Sequence, residues 1–197
     1  HLAMASLFDK LESEAFRKGL AARSKEANQW FAKNVTKLGK IGSSKLLGDD
    51  RLTKQGGASP GDMVVYTYDP KLKATLPYYD TFPLTIVVGP AKDGFYGINL
   101  HYLPPKVRAI FLDKLNDITN NQKFDKTTRF KVTYKLLQST ANYKYFKPCF
   151  KHYLTKNVTS NIMKVNAAEW NIAIFLQTAK FKKASIGTVW SDSRRSY

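Results

Sequence analysis

Three runs inside residues 61–103 decide how the chain is read: Met63-Val-Val-Tyr-Thr-Tyr68, Pro83-Leu-Thr-Ile-Val-Val88 and Phe95-Tyr-Gly-Ile-Asn-Leu-His-Tyr-Leu103. Each is short and rich in β-branched and aromatic residues. Asp69-Pro70, Gly89-Pro90, Asp93-Gly94 and Pro104-Pro105 bound them, which is the punctuation of strands joined by turns. Three strands of a small, strongly curved sheet are predicted.

Beyond this stretch, Pro105 suits the first turn of a helix running to about Asn120, with Val107, Ile110, Phe111, Leu115 and Ile118 as its buried stripe. Residues 126–139 read as a strand passing into a helix, because Phe130, Val132 and Tyr134 alternate while Tyr134, Leu137 and Ala141 keep helical spacing. Residues 161–165 and 171–176 read as two closing strands around one tight turn at 167–170. The result is an α+β chain: an SH3-like β-barrel of about five strands with N-terminal helices and a helical insertion at about 104–158. That barrel is an analogy of pattern, and fold by itself assigns no function.

Toward the N-terminus, Ser6 caps a helix ending near Gly19, and Ser24 caps a second that carries Trp30, Phe31, Val35 and Leu38 and stops at Gly39. Trp30 and Phe31 are expected to pack rather than to stack on bases. Residues 39–59 hold Gly-Ser-Ser, Gly-Asp-Asp and Gly-Gly-Ala-Ser, and read as a linker or exposed arm. The expected organisation is therefore 1–59 for helices and arm, 60–178 for the barrel with its insertion, and 179–197 for a basic tail. His1 to Ala3, ahead of Met4, read as a cloning remnant, and the start is too polar and too soon charged for a signal peptide.

A hydrophobic fraction of 43% with 13% aromatic residues argues for a folded chain. Charge is unevenly spread. Residues 1–59 carry 11 Lys+Arg against 6 Asp+Glu, residues 60–120 carry 6 against 6, and residues 121–197 carry 15 against 3. A neutral middle with a strongly basic C-terminal half points to a polyanion, since cations gain by displacing counterions from phosphate. The single cysteine, Cys149, cannot close an internal disulfide and fits an intracellular or virion setting. No apolar run approaches the length of a membrane span, so no membrane partner is expected.

Signs of catalysis are missing from the pattern. After Glu26 the only glutamate is Glu169, and Asp69 and Asp93 are explained as turn formers, so the converging carboxylates of a metal-dependent nuclease are not evident. His101 and His152 lack a second ligand at zinc spacing, and Cys149 lacks a neighbouring base. No phosphate-binding loop or dinucleotide fingerprint occurs. No catalytic residue, metal ligand or cofactor is assigned.

Binding is better supported. Lys144, Lys147, Lys151 and Lys156 recur through an aromatic segment, and if 142–156 is helical on either side of Pro148 they share a face while Tyr145, Phe146, Phe150 and Tyr153 pack inward. Lys180, Lys182, Lys183, Arg194 and Arg195 form a second cluster. Tyr145 and Trp190 are the candidates for stacking on a terminal base pair.

Several segments, Tyr68-Asp-Pro-Lys71, Leu76-Pro-Tyr-Tyr-Asp-Thr-Phe-Pro-Leu84, Gly94-Phe-Tyr-Gly-Ile-Asn-Leu-His-Tyr-Leu-Pro104, Ala168-Glu-Trp170 and Phe181-Lys-Lys-Ala-Ser185 with Val189-Trp-Ser-Asp-Ser-Arg-Arg195, resemble the DNA end protector (head completion) family of T-even-like contractile-tailed bacteriophages. The likeness covers about residues 60–195. It implies a virion protein that sits on double-stranded DNA ends, enters the host cytoplasm with them and blocks exonuclease without catalysis, with portal or neck proteins as further partners. It supplies no residue roles and fixes no oligomeric state. Two other readings stay open from the residues: a neck, tail or baseplate protein whose basic surface meets acidic virion subunits, and a metal-dependent nuclease using Glu169 or Asp80.

Overall fold

Two serine-capped helices begin the fold. In the computed structural model, which describes residues 6–21, 24–119, 134–139 and 141–197, the Ser6 hydroxyl accepts the Phe8 amide at the start of α1 (Leu7–Arg17) and the Ser24 hydroxyl accepts the Ala27 amide at the start of α2 (Lys25–Val35). Each cap satisfies an amide that the first turn leaves unpaired. Phe8, Leu11 and Ala15 of α1 and Ala27, Phe31 and Val35 of α2 are buried.

The expected Gly-rich arm is folded. It forms α3 (Ser43–Leu47) and β1 (Leu52–Gln55), and Ile41, Leu46 and Leu52 enter the main core. Few apolar residues are needed to dock a short segment, since burying each contributes about 1.5–3 kcal/mol. Arg51, between α3 and β1, pairs with Asp9 and Glu12 of α1 and with Glu169, whose side chain is only 1% exposed. Removing the cation leaves a buried carboxylate uncompensated, a loss moderated because Arg51 is one-third exposed. Arg51→Ala should therefore cost about 2 kcal/mol in urea unfolding and free α1 for trypsin cleavage after Arg17; unchanged stability would mean the cluster contributes nothing.

The strands follow: β2 (Met63–Val65), β3 (Tyr79–Asp80), β4 (Leu84–Ala91) and β5 (Gly94–Asn99). Then come α4 (Pro105–Thr119), α5 (Tyr134–Gln138), α6 (Tyr143–Phe146), β6 (Phe150–Leu154), β7 (Ile162–Val165), α7 (Trp170–Ala173), β8 (Phe181–Lys182) and α8 (Ile186–Arg194). The main sheet is antiparallel in the order β1-β7-β2-β4-β5-β6, and β3 pairs with β8 as a separate ribbon. Alternation along the strands fills two cores. Met63, Val65, Ile86 and Ile98 face the helices, whereas Val64, Tyr66, Val87, Phe95 and Tyr153 make a second, aromatic cluster on the opposite face.

The chain is α+β, as expected, but among the described residues the sheet ends at β1 and β6 and closes no barrel. The predicted strand over 171–176 is not a strand. α7 and the turn after it bury Ile172, Ala173, Ile174, Phe175 and Leu176 together, and a continuous apolar run suits a buried helical turn as well as a strand. Conversely, Phe150–Leu154, just after Pro148, is not helical. β6 pairs with β5, placing Lys151 opposite Gly97 and Tyr153 opposite Phe95. On α4 the stripe is shifted: Ile110 is 44% exposed and Arg108 is buried, donating to the carbonyls of Leu103 at 2.7 Å and Ile174 at 2.9 Å. The strand expected before α5 falls largely at 126–133, outside the described residues.

Candidate nucleic-acid interface

The loop after β2 leaves the sheet at Asp69-Pro70 and folds back on itself, with the amides of Thr75 and Leu76 donating to the Leu72 carbonyl at 2.9 and 3.0 Å. Its position is set from two sides. At the base, the Asp69 amide donates to the Asn157 carbonyl at 3.0 Å and the Asn157 amide group returns a bond to the Asp69 carbonyl at 2.8 Å. At the tip, the Lys183 ammonium donates to the carbonyls of Lys73, Ala74 and Leu76.

Held this way, the loop encloses a cleft of about 440 Å³ against β6, lined by Tyr68, Lys71, Leu72, Tyr78, Tyr102 and Lys151 among others. β6, packed closely against β5, forms the far wall. A Cβ on Gly94 would lie 1.8 Å from the Tyr153 carbonyl oxygen, so only glycine permits that approach. Lys151 and Tyr153 share one side of β6. The Lys151 ammonium lies 4.0 Å from the Tyr102 ring centroid and has no carboxylate within ion-pair distance among the described residues. Burial lowers its pKa from the usual lysine value.

Behind the cleft lies a buried polar network. The Asp80 carboxylate accepts from the Phe82 amide at 2.9 Å, the Lys180 amide at 3.1 Å, the Asn99 side chain at 3.0 Å and His101 Nδ1 at 2.7 Å. With Nδ1 donating, His101 Nε2 is left to accept from the Thr178 hydroxyl at 3.1 Å. Acid, imidazole and hydroxyl stand in the order of a proton relay, but His101 is 0% exposed and no substrate can reach it. The network instead ties β3, the end of β5 and the segment leading to β8 together. Burial alone would raise the Asp80 pKa, yet His101, Asn99 and the Phe82 amide outweigh it and hold the carboxyl below its ordinary value. Burial lowers His101, with Asp80 opposing only in part.

A family model described as the phage T4 terminal DNA protecting protein matches residues 2–193. The chain belongs to that family. No curated protein and no solved structure matches it significantly. The resemblance read from residues 60–195 therefore extends to nearly the whole chain, N-terminal helices included.

Within this terminal DNA protecting fold, eight of the nine predicted cations, Lys144, Lys147, Lys156, Lys180, Lys182, Lys183, Arg194 and Arg195, are exposed. Lys151 is half-buried in the cleft, and Lys183 is exposed but spends its ammonium on the loop carbonyls. The two sequence clusters meet through aromatic contacts. Tyr145 packs on Tyr197 with ring centroids 5.6 Å apart, bringing the end of α8 to α6. Asp192 of α8, 3.7 Å from Arg195, stands near Tyr78, which lines the cleft; burial first and the Asp192 charge second raise the Tyr78 pKa. Trp190 is half-buried, donating its indole N–H to the His101 carbonyl at 3.0 Å under the Arg108 guanidinium, so its ring is engaged in packing.

Asp80 and Glu169, the carboxylates a nuclease would need, are taken up by the network and by Arg51. Among the described residues, no group of three or more His, Cys, Asp or Glu could hold a metal ion, and no helix is long and apolar enough to cross a membrane. Cys149 is buried, which pushes its thiol up to about 12. The cleft residues Lys71, Tyr78 and Tyr102 escaped the sequence reading. They lie far from Lys151 in the chain, and only the β5–β6 register and the fold of the loop bring them together.

Proposed function

We propose that the protein binds the ends of double-stranded DNA without reading sequence and shields them from exonuclease by occupying the terminus, with no catalytic step. The observation that carries this reading is the set Lys144, Lys147, Lys156, Lys180, Lys182 and Arg194, exposed and without an acidic partner among the described residues, in a chain whose family protects terminal DNA. Exposed unpaired cations gain most from phosphate because no internal ion pair has to be broken. The protein would travel in the virion, contact portal or neck proteins there, and pass into the host cytoplasm on the DNA. The strand order β7-β2-β4-β5-β6, with a 3-10 turn at Thr155–Asn157 between β6 and β7, supports an SH3-like origin for the sheet.

The reading is tested by titrating linear and covalently closed duplexes of equal length at several salt concentrations. Preference for the linear form with a steep salt dependence is the expected result. Equal binding to both forms would reduce the protein to a general DNA binder.

A further inference from the structure

We infer that the cleft between the 70–78 loop and β6 receives the terminal nucleotide of one DNA strand, its base lying against the ring of Tyr78 or Tyr79 and its phosphate meeting the Lys151 ammonium. The inference rests on the end-binding reading and gives it a seat. At about 440 Å³ the cleft is in the range of small-molecule sites, large enough for one nucleotide and far too small for a duplex. A strand end can enter it without an interior nucleotide being flipped out of the duplex, so a site of this size favours ends over interior DNA.

Its chemistry suits a nucleotide at both poles. Tyr78 and Tyr79 are half-buried, leaving ring surface at the opening, and Leu72 is 60% exposed on the loop side. Stacking on such rings tolerates any base, as a protein that protects ends of any sequence requires. Tyr68 and Tyr153, deeper in the wall, are already hydrogen-bonded, to the Leu154 amide at 2.8 Å and to Asn99 at 3.0 Å, and serve as apolar lining.

The cation is unusual for its setting. A half-buried lysine normally has a carboxylate beside it, whereas Lys151 has the Tyr102 ring. A phosphate would supply the missing countercharge and oppose the burial that lowers the Lys151 pKa. Asp80 is the one carboxylate lining the cleft; it is 3% exposed, and its oxygens are occupied by four donors. Lys71, exposed on the loop, and Lys182, opposite Tyr79 in the β3–β8 ribbon, add positive charge at the rim.

The test uses the full chain and linear duplexes carrying 5-iodouracil at the 3′ terminus, at the 5′ terminus or at an internal position. After irradiation the crosslinked peptides are mapped by mass spectrometry, while exonuclease protection of the same duplexes is measured in parallel. Crosslinks to Tyr78 or Tyr79 from one terminal arm and not from the internal arm are expected, and the productive arm identifies which strand end enters. Lys151→Gln should weaken end affinity about tenfold by loss of one charged contact. Leu72→Glu, on an exposed side chain that folding does not need, should lower both crosslink yield and affinity. Terminal crosslinks absent, or confined to other segments, on DNA that is still shielded would overturn the cleft and leave end protection standing. DNA left unshielded would overturn the end-binding reading itself.

Discussion

Replacing Lys144, Lys147, Lys156, Lys180, Lys182 and Arg194 with glutamine is expected to weaken binding to linear duplex by about three orders of magnitude at moderate salt. The six side chains are exposed, so their loss spares the core. Each phosphate neutralised contributes about 0.9 to the slope of log affinity against log salt, so the slope should shrink by about five if all six meet DNA. Two readouts make the prediction specific. A fall in affinity with an unchanged slope would mean that these residues act through something other than phosphate contacts, and an unchanged affinity would remove them from the interface. Subsets separate the two regions: Lys144, Lys147 and Arg194 belong to the α6–α8 end, joined by the Tyr145–Tyr197 contact, while Lys180 and Lys182 flank the cleft ribbon.

Asp80→Ala is expected to be the most damaging single substitution, costing about 4 kcal/mol, because it strands several buried donors at once. That is a large part of the stability of an ordinary domain. Asp80→Asn, which keeps one acceptor oxygen, should cost less. Urea unfolding at neutral pH measures both, and a loss under about 1 kcal/mol for the alanine variant would show that the network is worth little. The same network sets an acid limit. Asp80 and His101 both titrate below their ordinary values of 3.8 and 6.5 in the folded protein. The unfolded chain therefore takes up protons that the folded chain refuses. The His101 contribution is complete above pH 6.5 and is lost as pH falls from there through the lowered folded value; the Asp80 contribution is lost lower still, below pH 3.8. In Asp80→Ala the acid dependence should change along with the midpoint.

How much of this was legible in the sequence depended on whether the signal was local. Serine caps, glycine stops and the three runs between Met63 and Leu103 mark where elements lie, because capping and strand alternation are decided within a few residues, although β2 stops at Val65 and β5 gives way at Asn99 to a 3-10 turn over Leu100–Tyr102. The apolar run 171–176 carries no period, so nothing local separates a strand from the buried helical turn it forms, and the Lys-aromatic segment after Pro148 satisfies helical spacing while its register with β5 decides for a strand. The arm at 39–59 looked open because its glycines outweigh Ile41, Leu46 and Leu52, which dock only once the core exists.

The candidate site divides along the same line. Basic clusters are visible as composition, so Lys144 to Lys156 and Lys180 to Arg195 stand out as candidates, but composition cannot say that Lys183 serves a loop or that Trp190 serves the core. A cleft assembled from Tyr78, Tyr102 and Lys151 is a tertiary object with no spacing to detect.

The most direct measurement is exonuclease digestion of a linear duplex with increasing protein, in the presence or absence of a covalently closed competitor and without added divalent metal beyond the nuclease's need. Digestion that stops as protein approaches one molecule per end, returns when salt is raised and is little affected by the competitor is the predicted outcome. Digestion at an undiminished rate at low salt, or degradation of the DNA by the protein itself, would contradict it.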